Sequence, residues 1–543
     1  MRCVPGRIRG PGMKRIGPPS NAAVKVTRDA SVRLTNSVTP LVPLSGLDGA
    51  FLTLETPATP MHVGSLHVFT KPRGYKGDFY RTIKRRLAGR MDVAPIFRRR
   101  LAPMPLQFAN PVWVADDNVD LDFHVRRVPV PAPGSLAALE ACVATLHSEL
   151  MDRSRPLWMV YVFERLAAGR LAFYIKIHHA VLDGAASVAL ADAFFDTSPQ
   201  PRRRSHRNRH AARGGHAPAV IALASAAFRH DAAQYVKLLR HIPELVRTLA
   251  TVARDSDTGT GGQLWRNFSF GPRTPLNVTV TAERGFVGLS IPLAEVKAVA
   301  AKHAVTVNDV VLALCSGALR RYLARHGGIP KKPLIAAMPI SLREPGNMDF
   351  TIEATMIPVS LATHIADPVR RLRAVHAAAE ATKSVARRAK SVIPTDFPSI
   401  GVPWILGALT SLVGRSHVAD AIPPIANVVI SNIAGVPVPL YSAGARMYAY
   451  WPLSIVEHGL GLNITVMSYA GRLGFGFTVA SCAVPDPREL AADLTAAHVE
   501  LHGHSPSRLA APARLAARRS AKTRKPPVPT TLNRRRSNHV QSA

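Results

Sequence analysis

The sequence predicts an α/β protein built as two layered, mixed-sheet domains. Three observations carry this. Strand-like and helix-like patterns alternate in both halves of the 543 residues. A proline-started, Arg-rich stretch at 201–216 (PRRRSHRNRHAARGGH) separates the halves. A chain of this length with 47% hydrophobic residues has ample material for a large core.

The body is expected to begin near Pro43. Residues 65–69 (SLHVF) read as a strand and 77–92 as a basic helix. Within 135–151, Leu136, Leu139, Val143, Leu146 and Leu150 recur at three- and four-residue spacings behind Ser135, an amphipathic helix with its cap. Trp158–Glu164 and Leu171–Ile177, joined across Ala-Ala-Gly-Arg, predict a hairpin. Its second strand runs into His178-His179-Ala-Val-Leu-Asp183-Gly184, and an Ala-rich helix, 185–195, follows. A basic linker (198–216) and helical residues 217–253 lead to a second half starting near Arg284. There a helix at 292–303 precedes a longer one with Asn308 as its N-cap and Gly327 as its stop. Strands at 333–338 and 355–361 follow, then a helix at 369–388 opened by Asp367-Pro368. Ala426–Ser431 reads as a strand, Leu462–Tyr469 and Leu473–Val479 as a hairpin across Ala-Gly-Arg, and 486–502 as the closing helix. The expected organisation is a basic N-terminal tail (1–38), a first domain (39–197), a linker with bridging helices (198–283), a second domain (284–504) and a basic C-terminal tail (505–543).

The net charge of +34 first suggests a nucleic-acid partner, but its distribution argues otherwise. Residues 1–38 hold eight Lys/Arg against Asp29, 505–543 hold ten and no acid, and 201–216 hold six Arg and no acid, so three segments supply +23 of the total. Neither tail has a Trp, Tyr or Phe to stack on bases, so no specific nucleic acid is expected. Such segments bind polyanions in general, anionic lipid included, or are simply solvated. Cys3, Cys142, Cys315 and Cys482 are widely spaced, which fits a reducing cytosol and no structural zinc. The basic N-terminus lacks an apolar stretch of signal-peptide type, so secretion is not expected, and Met13 offers an alternative start. Phe397–Gly414 is uncharged but broken by Pro398, Gly401 and Pro403, and reads as a helix buried or lying on a membrane surface.

The chemistry is expected at His178-His179-x-x-x-Asp183-Gly184. A lone strand-end histidine is usually structural, but two adjacent histidines before Asp and Gly are uncommon by chance. Neighbours on a strand point to opposite faces, so one of the pair can face a cleft. A neutral imidazole accepts a proton near pH 7, and Gly184 keeps a side chain away from reacting atoms. Zinc fits poorly, because paired ligands on a helix face stand four residues apart and no third ligand is near. The chain has no G-x-S-x-G of a serine hydrolase.

HHAVLDG resembles the H-H-x-x-x-D-G signature of CoA-dependent acyltransferases, the superfamily of chloramphenicol acetyltransferase and peptide-synthetase condensation domains. Further stretches resemble bacterial wax ester synthases/diacylglycerol acyltransferases: the opening Pro43–Gly64 (PLSGLDGAFLTLETPATPMHVG), Pro156-Leu157-Trp158, Asn308-Asp309, Ser431-Asn432-Ile433 with Gly435 and Pro437, and Gly461–Gly471. The resemblance runs from about 43 to 503. The chain departs from the pattern in its basic tails and Arg-rich linker, in Val436 standing between Gly435 and Pro437, and around Asn347–Thr355.

The resemblance implies two chloramphenicol-acetyltransferase-like domains with the active site in a tunnel between them. It implies acyl transfer from acyl-CoA to a lipid alcohol, giving triacylglycerol or wax ester. His179 is then the general base, with no acyl-enzyme and no cofactor, acyl-CoA being a substrate. His178 is expected to be structural, and Asp183 to turn away and hold its loop through an Arg. Asn308, then Asn432, are candidate oxyanion donors, and Pro156, Leu157, Trp158, Asp309 and Ser431 are candidate substrate-binding positions. A cytoplasmic enzyme at the inner membrane face or a lipid-droplet rim is expected. The competing readings are condensation with a carrier-protein thioester and a catalytically silent membrane- or lipid-binding protein.

Overall fold

The computed structural model describes residues 42–104, 106, 109–181, 190–200, 270–341, 354–389 and 423–503. The expected linker from 201 on, the helices at 217–253, the segment 397–414 and both tails lie outside these residues. The first half contains β1 (Val42–Pro43), α1 (Gly46–Leu54), β2 (His62–Thr70), α2 (Phe79–Ala88), β3 (Arg99–Ala102), β4 (Val112–Ala115), β5 (Val125–Val128), α3 (Leu136–Ser148), β6 (Trp158–Leu166) and β7 (Arg170–His178). The second contains β8 (Arg284–Pro292), α4 (Leu293–His303), α5 (Val307–Arg325), β9 (Ile335–Ser341), β10 (Ala354–Ser360) and α6 (Pro368–Ala389). After these come β11 (Val428–Ile433), β12 (Tyr441–Ser442), β13 (Ala445–Leu453), β14 (Leu462–Tyr469), β15 (Arg472–Ala480) and α7 (Arg488–Gly503).

These strands form two mixed six-stranded sheets, as the fold class predicts, plus a small sheet β1-β4-β3. The first sheet runs β12-β13-β2-β7-β6-β5 and the second β10-β9-β11-β14-β15-β8. Strands β12 and β13, late in the chain, complete the first sheet at the β2 edge. Glycines let them cross there: a Cβ on Gly474 would lie 2.1 Å from the Tyr450 carbonyl oxygen, and one on Gly476 1.7 Å from that of Pro452.

Local chemistry accounts for the element ends. Ser135 caps α3, its hydroxyl accepting from the Ala138 N–H at 3.1 Å. At α5 the cap is Thr306, not Asn308. The Thr306 hydroxyl accepts from the Asp309 N–H (3.2 Å), and the Asp309 carboxylate accepts from the Thr306 N–H (2.9 Å). This reciprocal box satisfies two orphan donors and leaves Asn308 inside the first turn. Gly327, with φ 91°, ends that helix as expected, and Ala470 and Gly471, both at positive φ, turn the β14–β15 hairpin. Buried α5 side chains, among them Val310, Leu314, Ala318 and Leu319, form the second sheet's core with β14 and β15. Among the described residues no single helix is long and apolar enough to cross a membrane. The bent pair α4–α5 passes by composition, but α5 is largely buried.

Period-two alternation divides the first sheet's faces. Leu66, Val68, Ala172 and Tyr174 pack with α3 residues Leu139 and Val143 on one side. Phe69, Phe173, Ile175 and Ile177 belong to the core on the other. That second face continues into the cavity described next.

Candidate active site

Strand β7 ends at the histidine pair, and backbone bonds fix both residues. The His178 N–H donates to the Leu157 carbonyl at 3.1 Å, and the His179 N–H to that of Met61 at 2.8 Å. A single 3-10 turn, His179–Val181, follows. As alternation demands, the two rings part.

His178 is fully buried and faces a carboxylate. Its Nε2 lies 3.4 Å from Glu55 Oε1, and Nε2 of His62, its cross-strand partner, lies 3.0 Å from the same oxygen. The Ala180 N–H donates to His178 Nδ1 at 3.1 Å, so a ring proton on His178 belongs on Nε2, toward Glu55. Arg153 donates to Glu55 Oε2 from Nη2 at 2.8 Å, and the Met61 N–H donates to Oε1 at 3.1 Å. Burial alone would raise the Glu55 pKa, but the contacts with His178 and His62 outweigh it and hold the carboxyl well below the usual range. Burial pushes His62 down to about 4, against the pull of Glu55, so it is neutral at pH 7.

Polar anchoring continues behind this cluster. The Tyr174 hydroxyl donates to His147 Nδ1 at 2.6 Å, and His147 Nε2–H donates to the Ser454 carbonyl at 3.1 Å, tying α3 to the loop after β13. The buried Lys176 ammonium donates to the Leu146 carbonyl at 2.6 Å and to that of Glu149, serving the C-terminal end of α3. Burial lowers its pKa to about 8.

His179 faces the opposite way, into a cavity of about 1120 Å³ between the two sheets. Its ring stacks on Phe51 from α1 at 4.0 Å between centroids. Nδ1 is buried with no hydrogen-bond partner among the described residues. Burial, then the nearness of His178, lowers its pKa to about 4, so the imidazole is neutral across the physiological range. The cavity walls are mostly apolar. Val63, Ile175 and Ile177 come from the first sheet, and Val429, Ile433 and Met467 from the second. A space of this size takes long aliphatic chains.

The remaining expected positions are distributed as follows. Ser431 lines the cavity. Asn432, next on the strand, points away and donates to Asn308 Oδ1 at 3.3 Å; neither asparagine is among the cavity-lining residues. Asp309 is fully buried, and besides capping α5 it accepts from His376 Nδ1 at 2.8 Å. Leu157 and Trp158 are buried behind the histidine pair. The Leu157 carbonyl anchors His178, and that of Trp158 accepts from His124 Nδ1 at 2.8 Å. Pro156 lines a small second pocket beside Lys176. Asp183 and Gly184 lie outside the described residues.

Sequence reasoning missed Glu55, His62, Arg153 and Phe51. The available signal was Glu55 standing seven residues before His62 in an otherwise uncharged stretch, TPATPMH.

Comparisons with known proteins converge on one family. The family model described as the wax ester synthase/diacylglycerol acyltransferase catalytic domain matches residues 44–311, and the WS/DGAT C-terminal domain matches 353–502. A Mycobacterium tuberculosis protein assigned as a diacylglycerol O-acyltransferase is 36% identical over 458 residues, 84% of this chain and 99% of the relative. Another from the same organism is 34% identical over 465 residues, 82% of this chain and 96% of the relative. Among solved structures, the wax ester synthase/diacylglycerol acyltransferase of Marinobacter aquaeolei VT8 is 28% identical with a TM-score of 0.61, covering 85% of this chain and 98% of that one.

Proposed function

Because this chain belongs to the wax ester synthase/diacylglycerol acyltransferase family and is thus an acyltransferase, we propose that it uses His179 as the general base in direct transfer of a long-chain acyl group from acyl-CoA to a lipid hydroxyl. The observation that carries this is a buried, neutral imidazole on the wall of a large apolar cavity. His179 takes the hydroxyl proton as the oxygen attacks the thioester carbonyl carbon. The tetrahedral intermediate collapses with cleavage of the C–S bond, and the imidazolium returns its proton to the departing sulfur, giving ester and free CoA. No enzyme nucleophile forms a bond in this sequence. Diacylglycerol and fatty alcohol both fit the chemistry, since apolar pockets discriminate chains by only about 1–3 kcal/mol per methylene. The deciding experiment is product analysis with labelled acyl-CoA and each acceptor, for wild type and His179→Ala. Quenching a single turnover and finding label covalently on the protein would refute the direct route.

The tails, with net charges of +7 and +10, suit a second role, holding the enzyme at an anionic membrane surface or lipid-droplet rim. Each Lys or Arg near such a surface adds on the order of 1 kcal/mol, weakened by salt. Co-sedimentation of the full chain with anionic and neutral vesicles at low and high salt tests this; equal binding to both vesicle types would rule out an electrostatic anchor.

A further inference from the structure

Along the cavity wall that carries His179, one row of side chains breaks the apolar lining. Val63, Ser65 and His67 of β2 share a face, opposite Ile177, Ile175 and Phe173 of β7, and Tyr450 of β13 pairs with His67. Ser65, His67 and Tyr450 all line the cavity. Ser65 Oγ is 2.7 Å from His67 Nε2, and Ser65 is also hydrogen-bonded to the Tyr450 hydroxyl. The His67 ring is enclosed by Tyr450 at 4.5 Å, Phe195 at 4.9 Å and Phe173 at 5.1 Å between centroids.

A count of protons shows what this group offers. His67 Nδ1 is buried with no hydrogen-bond partner among the described residues. Leaving a bare acceptor there is less unfavourable than burying an unpaired N–H, so the ring proton belongs on Nε2, donating to Ser65 Oγ. Ser65 then donates its own proton to the Tyr450 oxygen. Three donors meet two internal acceptors, and among the described residues the Tyr450 O–H is left over. Burial raises the Tyr450 pKa, which keeps that proton in place. By contrast Asn463 and Thr465, on the facing wall, are paired: the Thr465 hydroxyl donates to Asn463 Oδ1, and Asn463 Nδ2 to the Ile455 carbonyl.

Tyr450 is registered at His67, but its hydroxyl meets Ser65, so the spare donor stands at the level of Ser65. His179 is bonded at Met61, four residues before Ser65 on β2, about 13 Å at a strand rise of about 3.3 Å per residue. An extended aliphatic chain with C–C bonds near 1.5 Å and near-tetrahedral angles advances about 1.25 Å per carbon, so ~13 Å is roughly ten carbons. Between lie Val63 and Ile177, which suit bare methylenes.

We infer that the Ser65–His67–Tyr450 chain is a polar subsite for an aliphatic chain carrying an oxygen, as a keto or hydroxyl group, about ten carbons from its reacting carbon. The inference rests on His179 marking the reacting end. The oxygenated chain can arrive as the acyl group or as the acceptor alcohol, and the two sources are separable. Binding to the full-length protein is measured by displacement titration for octadecanoyl-CoA and octadecanol, each unsubstituted, with a keto group at carbon ten, and with a keto group at carbon five. Turnover of unsubstituted octadecanoyl-CoA is followed separately, so failure of the acyl-transfer reading shows as no product whatever the binding ratios. The expected result is binding of one carbon-ten keto chain about fivefold tighter than its parent, the worth of one neutral hydrogen bond. The carbon-five isomer should bind worse than the parent, since its oxygen meets Val63 and Ile177. In Tyr450→Phe, which removes the leftover O–H, the carbon-ten ratio should fall toward one, whereas Ser65→Ala leaves that O–H in place and should keep the gain. A ratio of one or below in wild type for both sources overturns the inference, as does a carbon-ten gain that survives Tyr450→Phe.

Discussion

Two consecutive residues, His178 and His179, occupy opposite environments. On the His178 side the polar groups converge: Glu55 gathers His62, His178 and Arg153 around one buried carboxylate. On the His179 side the ring meets Phe51 and open apolar space. The alternation of a strand is enough to part them, so one motif can supply both an anchor and the proposed reactive group. Polar contacts around Glu55 hold the strand end, while the ring proposed to exchange a proton has its Nδ1 without a hydrogen-bond partner among the described residues.

The sharpest way to break this comparison is His179→Ala. Turnover should fall by about 10²–10⁴, the range for a positioned general base, with the melting temperature close to wild type. A well-folded His178→Ala that is dead while His179→Ala stays active would reverse the assignment. Next in size is Glu55→Gln, which removes one partner of a buried ionic cluster and should cost about 3–5 kcal/mol of stability, read by chemical denaturation. Turnover by its folded fraction should survive far better than in His179→Ala. An unchanged denaturation midpoint with lost turnover would mean that the two sides are not separable.

Acid should reveal both sides at once. His62 and His179, near 4, and His67, which burial holds near 3, all lie below the ordinary value of about 6.5. The unfolded chain therefore binds more protons, and their contribution to stability is full above about pH 6.5 and is lost as the pH falls toward 4. Glu55 adds to this loss below its unfolded value of about 4.5. Initial kcat/KM after a brief pH jump should be flat from pH 8 to 6 and decline only near the value of about 4 that His179 carries. An acid limb centred at 6.5 would point to a base in a solvated setting. The smallest effect is expected from Asn432→Ala. Its bond to Asn308 is 3.3 Å long and outside the cavity lining, so about 1 kcal/mol of stability and less than about threefold in turnover should be lost. A hundredfold fall in kcat would make Asn432 an oxyanion donor after all.

Much of this was legible in the sequence because it is local. The β6–β7 hairpin, the Ser135 cap, the Gly327 stop and the histidine pair at a strand end are set by residues close together in the chain. The cap of α5 was misplaced by two residues because Thr306 and Asn308 are both good caps, and only the return bond from Asp309 chooses between them. Strands β1, β3, β4 and β5 are four residues or shorter, too brief to display a period. Strand β13 was missed for another reason: Ala445–Leu453 alternates in burial only because it lies between β2 and the glycine-rich face of β15. The cluster around Glu55 was hidden likewise, since His62 and His178 are 116 residues apart in sequence and adjacent only through strand register.

The insertion of β13 beside β2 also sets a timetable for synthesis. Leu66 pairs with Trp451, so on the ribosome β2 emerges long before the strand that covers its edge. At roughly 5–20 residues per second the wait is on the order of 20–80 s. During it, a paired β2–β7–β6 sheet presents an open, largely apolar edge, the kind of surface that recruits other nascent chains or a chaperone. Any fragment that stops before residue 441 keeps that edge permanently. The first half of this molecule is therefore a poor candidate for independent expression, even though it holds both histidines.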